Sequence, residues 1–93
     1  MVKSYIFKTE VWLWPGVGGW HFVNVPVKTS EEIRNKYGKG MIKVSAKVGK
    51  TEWSTSLFPH KKSKGYLVCL KKDIRKKEGI YENDRISLAF KVI

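Results

Sequence analysis

With 93 residues, 42% hydrophobic and 13% aromatic, the chain has the length of one domain and a composition far from that of disordered segments. A domain this size buries roughly 60–65% of its unfolded surface, leaving one modest core and little room for a deep catalytic cleft. Nineteen Lys and Arg against eight acids give a net charge of +11, and the single cysteine, Cys69, excludes an internal disulfide framework and a cysteine-based zinc site.

Ser4 to Trp14 reads as a first strand, with Phe7, Val11 and Leu13 on one face. Trp14-Pro15-Gly16-Val17-Gly18-Gly19-Trp20 is a turn, because proline and three glycines break regular structure. Trp20 to Val25 is a second strand stopped by Pro26, so the pair forms a hairpin with a long loop. A short helix follows: Thr29 with Glu32 fits a capping box, Ile33 and Tyr37 share a face, and Gly38 is the stop. Met41 to Val48 alternates most cleanly, with Ile42, Val44, Ala46 and Val48 on one side.

Gly49-Lys50 turns the chain into a strand from Thr51 to Phe58, ended by Pro59. His60 to Gly65 is a basic loop and Tyr66 to Leu70 a short buried strand. Lys71 to Glu78 reads as a second helix stopped by Gly79, and Arg85 to Val92 closes the chain with Ile86, Leu88, Phe90 and Val92 facing in. Six strands and two short helices in one domain, residues 1–93, make a mostly β fold, a small barrel or sandwich with helical lids.

An ordered set of segments carries a resemblance. It comprises Trp20-His21-Phe22-Val23 followed by Pro26, the helix from Ser30 to Gly38, Thr55-Ser56-Leu57-Phe58-Pro59, Lys64-Gly65-Tyr66, and Lys72-Asp73-Ile74-Arg75 with Glu78-Gly79. Spanning almost the whole chain, the set resembles a bacterial and archaeal family, the domain of unknown function DUF1905. The resemblance implies a six-stranded double-split β-barrel capped by short helices, distantly like the barrels of AbrB-type transition-state regulators. It implies no activity and no cofactor. The chain departs from the family at Asn83-Asp84, where Gly-Asp is usual; asparagine tolerates the left-handed conformation, so the turn is expected to survive.

Catalytic motifs are incomplete. Val48-Gly49-Lys50-Thr51 ends like a phosphate-binding loop, yet Val44 stands where the motif needs glycine, and a strand follows instead of a helix. Gly16-Val17-Gly18 lacks the third glycine of a dinucleotide site, having His21 there. Ser54, Ser56, Cys69, His21, His60, Asp73 and Asp84 supply ingredients of a hydrolytic triad without a nucleophile elbow or any other local signature. Two histidines with no carboxylate–histidine spacing argue against a metal site. The expectation is a non-enzymatic protein without cofactor.

The informative stretch is His60 to Lys77. It holds Lys61, Lys62, Lys64, Lys71, Lys72, Arg75, Lys76 and Lys77, offset only by Asp73. At ~100° per residue, Lys71, Lys72, Arg75 and Lys76 fall within an arc of roughly 140°, with Ile74 approximately opposite. Such a face binds phosphates by counterion release; the bland reading is a solvated lid kept soluble by its charge. Lys43 and Lys47, with Lys39 and Lys50 at the strand ends, extend the patch if the fold brings them near. Because all but Arg34, Arg75 and Arg85 of the 19 cations are lysine, a sequence-tolerant grip on nucleic acid, duplex DNA in the first instance, fits better than bidentate base reading.

Lysine-rich hyperthermophile surfaces balance lysine with glutamate. That balance is missing, so heat adaptation, with which the lack of glutamine is compatible, does not account for the charge. Trp53 alternates with Thr55 and Leu57 and is expected in or near the core. Trp12, Trp14 and Trp20 either close one barrel end or form an exposed surface for stacking bases or a small ligand; packing is the expectation, because exposed aromatic patches are uncommon. A ligand or protein partner at this Trp-rich end is the alternative to nucleic acid. Met1 to Trp14 has no cleavage site of the signal-peptide kind and no apolar run approaches the ~20 residues of a membrane helix, so a cytoplasmic protein away from membranes is expected. Exposed strand edges are compatible with a homodimer.

Overall fold

The computed structural model describes residues 3–16, 18–38 and 40–93; Met1, Val17 of the glycine turn and Lys39 of the extended basic patch lie outside them. Along the chain run β1 (Ser4–Glu10), β2 (Trp12–Leu13), β3 (His21–Asn24), α1 (Val27–Tyr37), β4 (Ile42–Val48), β5 (Thr51–His60), β6 (Gly65–Cys69), α2 (Lys72–Glu78) and β7 (Arg85–Val92). All strand pairs are antiparallel, in the order β1-β7-β4-β5-β6-β3-β2. The sheet curls into a half-barrel whose two edge strands, β1 and β2, are successive stretches of chain.

Among the described residues seven strands replace the expected six, because the first strand breaks at Val11. The Val11 N–H donates to Asp84 O at 2.9 Å and its carbonyl accepts the Asn83 N–H at 2.7 Å. With both backbone groups taken by the turn before β7, the chain leaves one ladder and joins another. Val11 stays fully buried, while Leu13, expected inward with Phe7, is turned outward beyond the break. Strand β5 is shared in the same way: Thr51 to Leu57 pair with β4, and Phe58 to His60 pair with β6. The strand therefore runs through Pro59 instead of ending there; proline is tolerated where a strand is paired on one side only.

The alternation read from β4 is realised, with Ile42, Val44, Ala46 and Val48 buried. Opposite them Leu88 and Phe90 of β7 are buried, and Ile86 and Val92 pack against the cluster. Tyr5 stacks on Phe90 with ring centroids 5.1 Å apart, and Phe7 meets Phe90 edge-on at 6.1 Å. Burying a ring of this size contributes about 1.5–3 kcal/mol. Trp53 is half-buried against the same core, as expected.

Helix α1 starts at Val27, earlier than the capping box implies, and has no side-chain cap. The box does not form because the helix begins two residues before Thr29, which puts Thr29 inside its first turn, and because Glu32 is engaged elsewhere. Glu32 Oε2 accepts from Lys3 Nζ at 2.8 Å and from the Tyr5 hydroxyl at 2.7 Å, tying α1 to β1. Ser30, the neighbour of Thr29, is fully buried and accepts the Tyr66 N–H at 3.2 Å. Gly38 ends the helix with φ 89°, its N–H donating to Arg34 O. Helix α2 ends as predicted on Gly79 in the left-handed region, and Asn83 holds φ 74°, so the departure from Gly-Asp preserves the turn.

Candidate functional site

Strand β6 is buried along its whole length. Tyr66, Val68 and Leu70 enter the core, so Leu67 and Cys69 must point to the opposite face of the sheet. The register explains what covers them there. Phe58 pairs with Leu67, Phe22 with Cys69, and Trp12 with Phe22, which gathers aromatic side chains on the outer face of β2, β3, β6 and the end of β5. Trp12 lies 5.5 Å from Phe22 and 5.9 Å from Trp14, and Trp20 stacks near-parallel to Phe22 at 6.5 Å. The Trp12 indole N–H donates to Asn24 Oδ1 at 2.6 Å, which fixes its plane.

Between these rings lies an open groove of about 510 Å³. Trp14, Trp20, Phe22, Phe58, Leu67 and Cys69 line it, and Thr55 and Lys71 are its polar members. Burial pushes the Cys69 thiol up from its ordinary value, against the pull of Arg75 and Lys71, so it is protonated at neutral pH. Trp12 is half-buried, but Trp14 and Trp20 remain 41% and 54% exposed. The expected packed end is thus an accessible aromatic surface. The glycine turn makes this arrangement fit: a Cβ at Gly16 would stand 3.0 Å from the Trp14 indole, and one at Gly18, where φ is 110°, 2.8 Å from that of Trp20.

The basic stretch divides. Lys61, Lys62 and Lys64 are exposed on the β5–β6 turn, beside His60, whose ring lies 6.2 Å from Trp12. Arg34 joins that end, its guanidinium 3.5 Å from Lys64 O and over the Tyr66 ring. Lys71, Lys72, Lys76 and Lys77 stand at the other end of β6, on the order of 13–17 Å away at ~3.3 Å per strand residue. Ile74 is buried as predicted. Arg75, placed on the outward arc from sequence, instead folds back and donates from Nε to Leu70 O at 3.1 Å. The C-terminal end of α2 is held to the β4–β5 turn by Glu78, which accepts the Thr51 hydroxyl at 2.6 Å, and this brings Lys50 beside α2. Lys43 and Lys47 are exposed on β4.

Hydrolytic ingredients come together only locally. His60 Nδ1 and the Ser63 hydroxyl are 2.8 Å apart, within one tight turn and outside the groove. His21 is held by Gly19 O at 2.8 Å. Among the described residues no carboxylate bonds the His60 ring, and no three His, Cys, Asp or Glu stand together as metal ligands.

These features define a class: a mostly β half-barrel with two short helices, carrying an aromatic groove on its outer sheet face between two lysine clusters. Residues 7–89 match the model of the domain of unknown function DUF1905, and the chain belongs to that family. No protein of curated function matches it.

Proposed function

We propose that this chain is a non-enzymatic module that binds nucleic-acid backbone without strong sequence preference. Lys72, Lys76 and Lys77 of α2, with Lys71 at its start and Lys50 alongside, form the main contact, and Lys61, Lys62 and Lys64 form a second one across the groove. The observation that carries this reading is that Lys3–Glu32 is the one ion pair among the described residues, so the lysines behind the net charge of +11 are not held in surface networks. Exposed lysines with free ammonium groups displace counterions from phosphates, and an Arg75 turned to the backbone leaves little for base-edge recognition.

The test is an anisotropy titration against labelled duplex DNA at several salt concentrations. Log affinity should fall linearly in log salt by about 0.9 per phosphate engaged, and the triple variant Lys72→Glu, Lys76→Glu, Lys77→Glu should lose binding while remaining folded. No binding at low salt would reduce the charge to a solubility feature.

A second reading, a small-ligand or protein-partner module at the Trp-rich end, is favoured by the groove itself. Its volume falls within the ~300–1,000 Å³ usual for small-molecule sites, and its walls are apolar with few polar groups. Tryptophan emission against a metabolite panel separates the two readings.

A further inference from the structure

The groove and the lysine clusters share a residue, because Lys71 both lines the groove and is the residue from which α2 starts. We propose that the groove receives an unpaired nucleobase, stacked against Trp20 and Trp14, with the adjoining phosphate on Lys71, so that the chain prefers single-stranded nucleic acid to duplex. This placement rests on the nucleic-acid reading above and adds to it a site and a strand state.

The observations agree on an occupant that is flat, largely apolar and attached to negative charge. Ring faces of Trp20 and Phe22 lie near-parallel, with a 12° interplanar angle, and Trp20 is more than half exposed. Thr55 and Lys71 are the polar side chains against an otherwise apolar lining, too few to read the hydrogen-bonding edges of a base but sufficient to anchor its backbone. Every base has a π-face, so stacking on such a surface is sequence-tolerant. In a duplex those faces are already covered, and the aromatic surface is left without a partner. The lysines at both ends of β6 then track the backbone on either side of the stacked base.

The experiment compares a labelled oligothymidylate with a duplex of equal length, followed by anisotropy and by intrinsic tryptophan emission. Single-strand affinity should exceed duplex affinity by roughly 5- to 150-fold, the range of one base–aromatic stack, with quenched emission. Trp20→Leu should remove most of that preference and leave duplex affinity unchanged, and Lys71→Gln should weaken both. As a measurement free of any variant, quenching of tryptophan emission by acrylamide should be reduced by the oligothymidylate and not by the duplex, because Trp14 and Trp20 are the exposed rings.

Equal affinity for both forms, with no change in emission and no shielding from acrylamide, would overturn the stacking proposal while the lysine contact stands. Failure of both nucleic acids to bind would remove both readings. Tryptophan emission that changes with protein concentration alone, together with dimers in sedimentation, would assign the groove to a second copy and overturn the proposal.

Discussion

The Thr51 hydroxyl donates to Glu78 Oε2 at 2.6 Å, joining the β4–β5 turn to the last turn of α2. That bond orients the helix that carries Lys72, Lys76 and Lys77. Thr51→Val should cost roughly 1–2 kcal/mol, the value of a charge-assisted bond discounted for its partial exposure, read from urea midpoints at unchanged slope. Gly49→Ala should act on the same joint. Its φ of 58° favours glycine, and an added Cβ would collide with the Glu78 carboxylate. An effect of Gly49→Ala confined to the turn, with α2 amide exchange unchanged, would show that the helix is held by other contacts.

Acid and alkali should each loosen the tie between β1 and α1. The Lys3 ammonium first, and the Tyr5 hydroxyl second, hold Glu32 below the ordinary carboxylate value of 4.5. A lowered folded value means that its contribution is present above the unfolded one and is lost as pH falls through the folded one. Burial first, and the bond to Glu32 second, push Tyr5 from 10.0 to about 12. Its contribution is full below pH 10 and is lost as pH rises towards 12. Glu32→Gln should flatten the acid limb of stability. It should also lower the tyrosinate transition seen in near-ultraviolet absorbance, without returning it to 10.0, because burial is the larger cause.

Ser30 and Gly65 should prove energetically coupled. Ser30 Oγ donates to Val25 O at 3.4 Å and accepts the Tyr66 N–H, while a Cβ on Gly65 would stand 2.6 Å from that oxygen. Ser30→Ala leaves a buried N–H unpaired and should cost about 1–3 kcal/mol. Gly65→Ala forces the serine aside. The double variant should be less destabilised than the two losses added, since the alanine methyl at 65 then meets no oxygen. Strict additivity in denaturation would refute the coupling.

Trp53 offers a contrast between size and polarity. Its indole Nε1 is buried without a hydrogen-bond partner among the described residues. Trp53→Phe gives up some apolar area but removes an orphan donor costing about 1–3 kcal/mol, so the net change should stay within about 1 kcal/mol. Trp53→Ala, which strips the ring from a half-buried position, should cost more than Trp53→Phe and less than the ~3–5 kcal/mol of a fully buried truncation.

Much of the core was legible in the sequence, because period-2 alternation is a local signal. The inward sets Ile42, Val44, Ala46, Val48 and Ile86, Leu88, Phe90, Val92 both hold. The stops at Gly38 and Gly79 and the turn at Asn83 were legible for the same reason, each being a local backbone preference. The candidate groove was not. Leu67 and Cys69 lie in a run that looks uniformly apolar, so only the pairing partners Phe58 and Phe22 reveal a second covered face. Likewise His60 to Lys77 is continuous in sequence, yet β6 sends its two halves to opposite ends of a strand. Arg75 shows a limit of helical-wheel reasoning, since an angular position cannot foresee a side chain that curls back to its own N-terminal carbonyl. The glycine turn carried one readable cue, two tryptophans beside glycines that leave room for their indoles.

The pairing of β1 with β7, from Ser4 opposite Lys91 to Glu10 opposite Arg85, gives the fold an order of assembly. Strands β4, β5 and β6 can find one another through short turns, but the first strand has no ladder partner until β7 has been made. Val11 is in the same position, because its backbone partners lie in the turn just ahead of β7. During synthesis β1 must therefore wait, unpaired and partly apolar, until β7 has been translated. Folding limited by such distant closure is slow for the size of the chain and leaves an edge open to aggregation meanwhile.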